Sequence, residues 1–353
     1  MPAGLQTTRS RSKKPSAFDV AREAGVSQTT VSFVMNGSTS PKISEATTKR
    51  VMDAIEKLGY RPNTLARSLA HGKSHTVGVL LPYLDSGYHQ QLVAGLQEAL
   101  HDQGYYVLFV YAVENDDMER RLVEFLLQHR VDAMACFLPI PSFVHVPSWL
   151  KTLEHAGVPA TIIDNSGFCK YVDCAMSDDY AGMKDVVGRL YEQGHRRISL
   201  LAGCWPSDMI PDRVDGFGKA LMEYGLTYDV RLGADRDMTQ EEYSNAMVAL
   251  LEGSNPPTAF VAQLDFMFEH FLMFEAGHRY RIPEDVSLVG YGNTYLSKIT
   301  RLSSVHQNPE FLGRAIAKRL LARLDNPDLP VQKITAPTTF IDRGSIGTPK
   351  PMM

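Results

Sequence analysis

Apolar positions near the start of the chain repeat at helical spacing in two short segments separated by a turn. The first segment carries small apolar residues on one face: Ala17, Val20, Ala21 and Ala24. Gly25 permits a sharp turn after it, because glycine adopts positive φ at little cost. Ser27 is a typical N-cap, and Val26 before it can pack on Val31 inside the second helix. The pattern predicts two helices joined by a tight corner.

The second helix, Ser27–Met35, has one apolar and one polar face. Its core-facing residues are Val31, Val34 and Met35. Its outward residues are Gln28, Thr29, Ser32 and Phe33. A short helix with hydroxyl and amide groups outward can lie in the major groove of DNA and contact base edges. Taken alone, the pattern also fits a pair of surface helices in an all-α domain, with the polar face simply solvated.

A third helix is predicted after a loop. Ser44 is its expected N-cap, and Gly59 ends it in the C′ position. An apolar stripe lies between them: Val51, Ala54, Ile55 and Leu58. Three helices of this kind share a core of roughly 45 residues, which is marginally stable alone. Residues 61–72 could add a helix of about two turns, which is unstable by itself in water, and they also fit a plain tether.

From Thr76 onward, apolar runs of strand length alternate with helical patterns. The predicted strands are Thr76–Leu81, Tyr105–Tyr111, Val131–Leu138, Val158–Ile163, Arg197–Ala202, Thr258–Ala262 and Val286–Tyr291. The predicted helices are His89–Gln103, Asp116–His129, Pro147–Ala156, Asp179–Gln193, Arg213–Tyr224, Thr239–Leu251 and Leu264–Ala276. This alternation indicates parallel sheets covered by helices on both faces. Two successive units of this kind indicate two similar lobes with a cleft between them.

The composition is that of an ordinary soluble globular protein, with 44% hydrophobic and 22% charged residues in a chain of 353. No apolar run approaches the ~18 residues of a membrane span, and the N-terminal segment lacks the apolar core of a signal peptide. Four cysteines occur without metal-ligand spacing: Cys136, Cys169, Cys174 and Cys204. We expect them to be free thiols and the protein to be cytoplasmic.

The net charge of −4 hides an asymmetry. Residues 1–72 hold eleven Lys/Arg and five Asp/Glu, a net charge of +6, whereas the rest of the chain carries −10. A basic end on an acidic body suits a protein that meets phosphate with one end only. Such binding should weaken steeply with salt, because neutralised phosphates release counterions. Residues 1–15 are basic and without acidic residues, and we predict that they form a disordered arm.

The N-terminal part of the chain contains the series Asp19-Val-Ala, Ala24-Gly-Val-Ser27, Thr30-Val-Ser32, Asn36 and Gly37. This series resembles the DNA-binding headpiece of the lactose/galactose repressor (LacI–GalR) family. The resemblance continues in order through Leu58-Gly-Tyr60, Pro62-Asn63, Ala66-Arg-Ser-Leu69 and Val77-Gly-Val79. In the body it is carried by Gly194-His195-Arg196, Arg213-Val-Asp-Gly-Phe217, Pro257-Thr-Ala, Ile282–Tyr291, Ser304-Val-His-Gln307, Gly313 and Arg343-Gly-Ser345. So long a series of motifs favours the family over the two-helix alternative.

The resemblance implies an α/β fold with a three-helix helix-turn-helix headpiece, a hinge helix and a two-lobed body of the periplasmic-binding-protein-like type 1, with parallel sheets. The implied divisions are a basic arm at 1–15, the headpiece at 16–60, the hinge at 61–73 and an effector-binding and dimerisation domain at 74–346. Lobe 1 would take about 74–173 plus 303–333, and lobe 2 about 174–302 plus 334–346. Three crossovers between the lobes are expected, the last near Arg301–Gln307.

The resemblance also implies which residues meet DNA. They are Ser16, Ser27, Gln28, Thr29, Thr30, Ser32, Phe33, Asn36, Asn63, Arg67 and Leu69. In the family the hinge segment folds as a helix only on operator DNA, pairs with its twofold mate and places a leucine, here Leu69, in the minor groove. Phe33 departs from the family, in which Arg or His reaches a base. A phenylalanine can pack on a thymine methyl group but donates no hydrogen bond.

The body carries no motif that indicates catalysis, and we expect neither enzyme activity, a cofactor nor a metal site. Gly290-Tyr-Gly292 lacks the third glycine of a dinucleotide loop, and no GxxxxGK, HExxH or GxSxG occurs. Ligands of open α/β folds bind outside the carboxyl ends of strands. The residues there that match cleft positions of the family are the predicted effector contacts: Tyr83, Tyr88, His89, Asp164, Arg213, Asp265 and Asn293.

Some of these effector candidates have a second interpretation. The family keeps an arginine at the position of Arg213 to hold its ligand. Asp265 fits equally well as a cap of the helix that it precedes. His89 also fits a surface position without a role.

Three departures from the family bear on the ligand. Gly292 stands where the family usually has Asp, and Leu264 stands where it often has Asn. The run Phe266–Phe274 is aromatic where the family is rich in small residues. These departures indicate an effector less hydroxylated than a simple sugar, or a cleft that is partly filled.

The resemblance therefore implies a homodimeric transcription regulator, most simply a repressor, with a tetramer as the alternative assembly. Its partners would be double-stranded operator DNA and a small effector, such as a sugar, a sugar acid or a related metabolite. A free-standing metabolite-binding or transport protein and an enzyme on the same two lobes are the other classes considered. Neither explains residues 1–72.

Overall fold

The computed structural model describes residues 15–35, 43–61, 73–81, 87–111, 116–137, 148–164, 166–203, 211–233, 238–276 and 278–350. The chain divides into two compact units, residues 1–74 and 75–353, called the headpiece and the body below. The hinge segment 62–72 and the arm 1–14 lie outside the described residues. So do five residues to which the sequence assigned a role: Asn36, Asn63, Arg67, Leu69 and Tyr83. Their roles stay predictions.

The described part of the headpiece consists of three helices: α1 (Ala17–Ala24), α2 (Gln28–Met35) and α3 (Glu45–Leu58). Ser16 caps α1 in a reciprocal capping box with Asp19. Gly25 ends α1 at φ +66°, in the left-handed region that glycine enters without strain. The Oγ of Ser27 accepts a hydrogen bond of 3.1 Å from the Thr30 amide and so caps α2.

The apolar faces of all three helices meet in the headpiece core. Its buried residues are Val20, Ala21, Ala24, Val31, Val51 and Ala54. The residues that pack around them are Val26, Val34, Met35, Ile55, Leu58 and Tyr60. The faces predicted from helical spacing are therefore the buried ones, and the opposite face of α2 is left to solvent.

Two six-stranded sheets form the centre of the described body. The strands of sheet 1 are β1 (Thr76–Leu81), β2 (Tyr106–Tyr111), β3 (Ala133–Phe137), β4 (Ala160–Ile163), β5 (Asp173–Ser177) and β11 (Lys333–Ala336). Those of sheet 2 are β6 (Arg197–Leu201), β7 (Tyr228–Leu232), β8 (Ala259–Ala262), β9 (Ser287–Tyr291), β10 (Ser303–His306) and β12 (Thr339–Ile341). Sheet 1 has the order β11-β5-β4-β3-β1-β2 and sheet 2 the order β12-β10-β9-β8-β6-β7. All pairs are parallel except β10 with β12.

Helices cover both faces of each sheet. They are α4 (Gly87–His101), α5 (Asp116–Gln128), α6 (Ser148–His155), α7 (Asp179–Glu192), α8 (Pro211–Glu223), α9 (Gln240–Leu251), α10 (Tyr295–Ile299) and α11 (Pro309–Asp325). Each sheet separates two clusters of buried apolar residues; α4 and α11 pack on one face of sheet 1, and α5 and α6 on the other. This confirms the predicted α/β class. None of the described helices combines the length and the apolar character that a membrane span requires.

Strand pairing places the lobe boundaries elsewhere than the sequence did. β5 and β11 belong to sheet 1 and β10 to sheet 2, although residues 174–177 and 334–336 were assigned to lobe 2 and 303–306 to lobe 1. The segment expected to be the last crossover, Arg301–Gln307, contains β10 of sheet 2, and the second crossing comes directly after it. The third and last crossing follows β11, at residues 337–338. Each crossing comes after the carboxyl end of a strand, because the whole strand forms backbone hydrogen bonds within one sheet. Lobe 1 is therefore residues 75–177 and 308–336, and lobe 2 residues 178–307 and 337–350.

The predicted helix Leu264–Ala276 is not one continuous α-helix. A 3₁₀-helix spans Asp265–Phe268, and a π-helical turn spans Phe271–Glu275. Leu264 provides no side-chain cap. The carboxylate of Asp265 accepts its hydrogen bonds from a neighbouring loop instead. The segment therefore begins without a side-chain cap, and the carboxylate at its start bonds the loop instead of the helix. These two features explain why the helical pattern does not give one continuous α-helix here.

Helices α4 and α11 approach each other so closely that their backbones touch at two glycines. A Cβ atom on Gly95 of α4 would lie 2.2 Å from the Glu310 carbonyl oxygen. A Cβ atom on Gly313 of α11 would lie 2.0 Å from the Leu92 carbonyl oxygen. Both distances are far shorter than any real carbon–oxygen contact, so neither position accepts a side chain without separating the helices.

We expect Gly313→Ala to lower the free energy of unfolding of the body by about 1–3 kcal/mol or more, because overpacking forces the helices apart. Urea unfolding followed by tryptophan fluorescence measures it, since Trp149 and Trp205 both lie in the body. Gly87→Ala is the matched control on α4, where the nearest atom to an added Cβ is 3.8 Å away. Equal stability of the two variants would contradict this packing.

Candidate nucleic-acid interface and binding cleft

The outward face of α2 is exposed as the sequence predicted. Gln28, Thr29 and Ser32 are exposed, and Thr30 is half-buried. The ring of Phe33 is 44% exposed, an unusual position for a large apolar side chain. A row of polar and aromatic groups on one free helix face meets the geometric requirement for contact with base edges.

Two serines predicted to contact DNA act as helix caps in the headpiece. The Oγ of Ser16 donates a hydrogen bond of 2.7 Å to the Asp19 carboxylate. The hydroxyls of Ser27 and Thr30 lie 2.9 Å apart, within hydrogen-bond distance. These groups therefore position the starts of α1 and α2, and their contact with phosphate stays a prediction.

In the body, side chains from both lobes converge at the carboxyl ends of the strands. Asp164 follows β4 in lobe 1, and Arg213 lies in the first turn of α8 in lobe 2. The hydroxyl of Tyr88, on α4, donates a hydrogen bond of 2.9 Å to the Asp164 carboxylate. Arg213 acts electrostatically on both groups. The structure thus brings together three of the predicted effector residues in one cleft between the lobes.

Arg213 is buried, with 4% of its surface exposed. Its Nε donates a hydrogen bond of 2.6 Å to the Asp179 carboxylate, and its Nη1 donates one of 2.6 Å to the Gln263 carbonyl oxygen. Its guanidinium lies over the Tyr291 ring, 4.0 Å from the centroid. Among the described residues, its Nη2 has no hydrogen-bond partner.

Asp179 is the common acceptor of this network. Its carboxylate accepts a hydrogen bond of 3.0 Å from the Tyr291 hydroxyl and a long one of 3.4 Å from the Gln307 amide. The Ser177 hydroxyl also donates to it and accepts a bond of 2.8 Å from Gln307. These residues are absent from the site predicted from the sequence. Ser177 and Gln307 are placed by β5 and β10, and the pattern of apolar residues reveals neither strand. The strand-end rule would have found them.

The charges in the cleft do not balance. Burial, and after it the neighbouring Asp179 carboxylate, raise the pKa of Asp164 to about 7, while Tyr88 and Arg213 act against the shift. Burial and the Asp164 carboxylate also raise the pKa of Tyr88 well above its usual value. The backbone at Asp164 has φ +57°, which turns its carboxylate out of the strand direction. One guanidinium thus faces two carboxylates.

Asp265 is fully buried and holds a loop of lobe 2. Its carboxylate accepts hydrogen bonds from the Thr294 amide at 2.7 Å, the Thr294 hydroxyl at 2.8 Å and the Ser304 hydroxyl at 2.7 Å. It does not cap its own helix, so that interpretation is wrong. Asn293 lies in the same loop, at φ +50°, and its side chain contacts His306 and Arg343. The contact of both residues with an effector stays a prediction.

His89 is buried rather than on the surface. Only 7% of it is exposed, and its ring packs edge-on against Phe137 with centroids 4.6 Å apart. The surface interpretation is therefore wrong. Its ring also lies 5.5 Å from that of Tyr88, so it supports the hydroxyl that reaches Asp164.

Two family models match the chain. The one described as bacterial regulatory proteins of the lacI family matches residues 18–63, which contain α1 to α3. The one described as a periplasmic binding protein-like domain matches residues 187–346. Among curated proteins, catabolite control protein A of Priestia megaterium is 31% identical over 314 residues, which cover 88% of this chain and 92% of that protein.

Solved structures show the same architecture. The lac repressor dimer bound to operator and the anti-inducer ONPF superposes with a TM-score of 0.79 at 25% identity, over 95% of this chain and 100% of that one. A complex of the transcriptional regulator CelR with cellobiose superposes with a TM-score of 0.66 at 27% identity, over 94% and 99% of the two chains.

We expect Asp164→Asn to raise the melting temperature of the body more at pH 8 than at pH 5. A carboxyl whose folded pKa is raised destabilises the fold by an amount that is absent below the unfolded pKa of about 4, grows as the pH rises from there and is complete above about 7. Water screens a half-buried group in part, so we expect a gain of about 1 kcal/mol, or ~2–4 °C.

The control for this prediction is Asp179→Asn, which should destabilise the body at both pH values because it leaves the Arg213 charge buried and unpaired. Thermal unfolding in matched buffers measures both variants. A gain for Asp164→Asn that does not depend on pH would contradict the assignment of the raised pKa to this carboxyl.

Proposed function

The chain belongs to the LacI family of bacterial regulatory proteins, and from this premise we propose that it is a sequence-specific transcriptional repressor whose operator binding is controlled by a small-molecule effector. The observation that carries the proposal is the pairing, in one chain, of an exposed polar face on α2 with a cleft in which Tyr88, Asp164 and Arg213 converge. The first is suited to reading DNA and the second to binding a hydroxylated ligand.

The DNA-binding half of the proposal rests on the headpiece. The charge of +6 on residues 1–72 suits phosphate contacts, and Gln28 at the start of α2 is exposed and can bond an adenine in two places. The lac repressor neighbour is a dimer on its operator. We infer that this chain also acts as a homodimer on a twofold site, with Asn63, Arg67 and Leu69 of the hinge contacting its centre.

The effector half of the proposal rests on the cleft. The CelR neighbour holds cellobiose, and the cleft here offers a buried guanidinium, a carboxylate and a tyrosine ring to a ligand of that class. Residues of lobe 1 and lobe 2 face each other across it, so a ligand that bridges them favours closure. A difference of ~1–3 kcal/mol in ligand affinity between the two lobe arrangements is enough for a useful switch.

We expect Gln28→Ala to weaken binding to a site selected from a palindromic DNA library by about 5- to 100-fold, the loss of one bidentate base contact. Fluorescence anisotropy at two salt concentrations measures it. Met52→Ala is the control, because Met52 is exposed on α3 and uncharged; it should leave the affinity unchanged. Sequence-independent binding by the parent chain would contradict the proposal.

We expect a sugar that raises the melting temperature of the body to change operator affinity by about 5- to 150-fold, since the two sites are coupled through one equilibrium. Arg213→Ala should lose both the thermal shift and the change in affinity. Thermal shift and anisotropy with the same sugar test this together. A sugar that stabilises the body but leaves operator affinity unchanged would show that the cleft does not regulate DNA binding.

A further inference from the structure

We propose that the cleft selects an uncharged hydroxylated effector and rejects the carboxylate or phosphate ester built on the same carbon skeleton. The inference rests on the proposed function of the cleft as the effector site and narrows its ligand class. Its basis is the way in which Arg213, Asp179 and Asp164 share their charges and hydrogen bonds.

The guanidinium of Arg213 is not an open anion site. Its Nε is paired with the Asp179 carboxylate at 2.6 Å, and its Nη1 is bonded to a backbone carbonyl oxygen. Asp179 is in turn held by Ser177, Tyr291 and Gln307. An anion that bound the guanidinium through two oxygens would have to displace this carboxylate or the carbonyl oxygen, and a displaced Asp179 would stay buried without its cation, which is costly. An anion that bound Nη2 alone would leave the pair intact but would remain beside the Asp179 charge.

A second carboxylate, that of Asp164, also disfavours the binding of an anion. Among the described residues, the Asp164 carboxylate has a tyrosine hydroxyl as its hydrogen-bond partner and no ion-pair partner. The groups that act on it electrostatically are Tyr88, Asp179 and Arg213, so the charge of Arg213 is shared between two carboxylates. When Asp164 is ionised, the charges of Arg213, Asp179 and Asp164 sum to −1; when it is protonated, they sum to zero. In neither state do these three groups present an uncompensated cation to an anionic ligand.

The groups that remain open suit hydroxyls. Among the described residues, Nη2 of Arg213 and Oδ2 of Asp164 have no hydrogen-bond partner. The first can donate and the second can accept, and a sugar hydroxyl can do both. Two neighbouring hydroxyls can therefore bridge the lobes without changing the net charge of the cleft. An ammonium group would satisfy Asp164 but would repel the guanidinium.

The test is a thermal-shift series on the full chain with matched ligands at constant ionic strength and pH 7.5. Each set contains a neutral sugar, its uronic acid, its monophosphate and its amino sugar, for example glucose, glucuronate, glucose 6-phosphate and glucosamine. Sets built on other neutral mono- and disaccharides extend the panel. We expect the neutral member of the active set to bind at least about tenfold more tightly than its charged members, the effect of one uncompensated charge at ~10 Å in a protein.

Asp164→Asn removes one negative charge and should reduce the ratio of the affinities for the neutral and the anionic ligands. Glu154→Gln removes the same charge from the exposed end of α6, near the amino ends of the sheet 1 strands and away from the cleft at their carboxyl ends. It should leave this ratio unchanged. These two results together would support the inference. They separate a local effect in the cleft from the general field of the acidic body.

Tighter binding of an acid, a phosphate or an amine than of its neutral counterpart would overturn the inference and leave the proposed effector function standing. An equal ratio of these affinities in Asp164→Asn and Glu154→Gln would overturn it too. If no member of any set shifts the melting temperature or operator affinity, the proposed function itself fails, and this inference with it.

Discussion

The arrangement of the body depends on the buried ion pair between Arg213 and Asp179. A buried pair adds little net stability over an apolar one, but the loss of one partner leaves a buried charge and costs about 3–5 kcal/mol. Here Asp179 also binds Ser177 and Gln307, which lie at the ends of the first and second crossings between the lobes. The pair is therefore tied by hydrogen bonds to two of the segments that cross between the lobes, and a ligand that disturbs the pair acts on those segments directly.

The surroundings of the pair explain the charge state of the cleft. The Asp179 charge raises the pKa of Asp164 on the other lobe more than the Arg213 charge lowers it. Among the described residues, Asp164 has Tyr88 as its hydrogen-bond partner, and burial is the largest cause that brings its pKa to about 7. Near neutral pH one proton on Asp164 therefore changes the summed charge of Arg213, Asp179 and Asp164 between −1 and zero.

Much of this could be predicted from the sequence, and the exceptions have physical causes. Helical spacing located the headpiece core, and the strand-end rule located Tyr88, Asp164 and Arg213. The lobe boundaries were misplaced because β5, β10 and β11 contain polar residues, among them Asp173, Ser303 and Lys333, and so do not form the apolar runs that predict a strand. Asp179 and Gln307 are 128 residues apart in sequence and meet only because the chain crosses between the lobes there. Such contacts between distant residues depend on the order in which the strands join the sheets, and the spacing of apolar residues along the chain does not predict them.

The same reasoning accounts for one departure from the family. Gly292 has φ +112°, where a residue with a side chain is strained, and a Cβ there would lie 4.0 Å from the Asp265 carboxylate. An aspartate at this position would put a second carboxylate beside a buried one that already has its donors in Thr294 and Ser304. Glycine avoids that repulsion, because position 292 then carries no side chain beside the Asp265 carboxylate. Compared with the family pattern, this chain therefore lacks one negative charge beside Asp265, and under the proposed function Asp164 of lobe 1 makes the acidic contact with the effector.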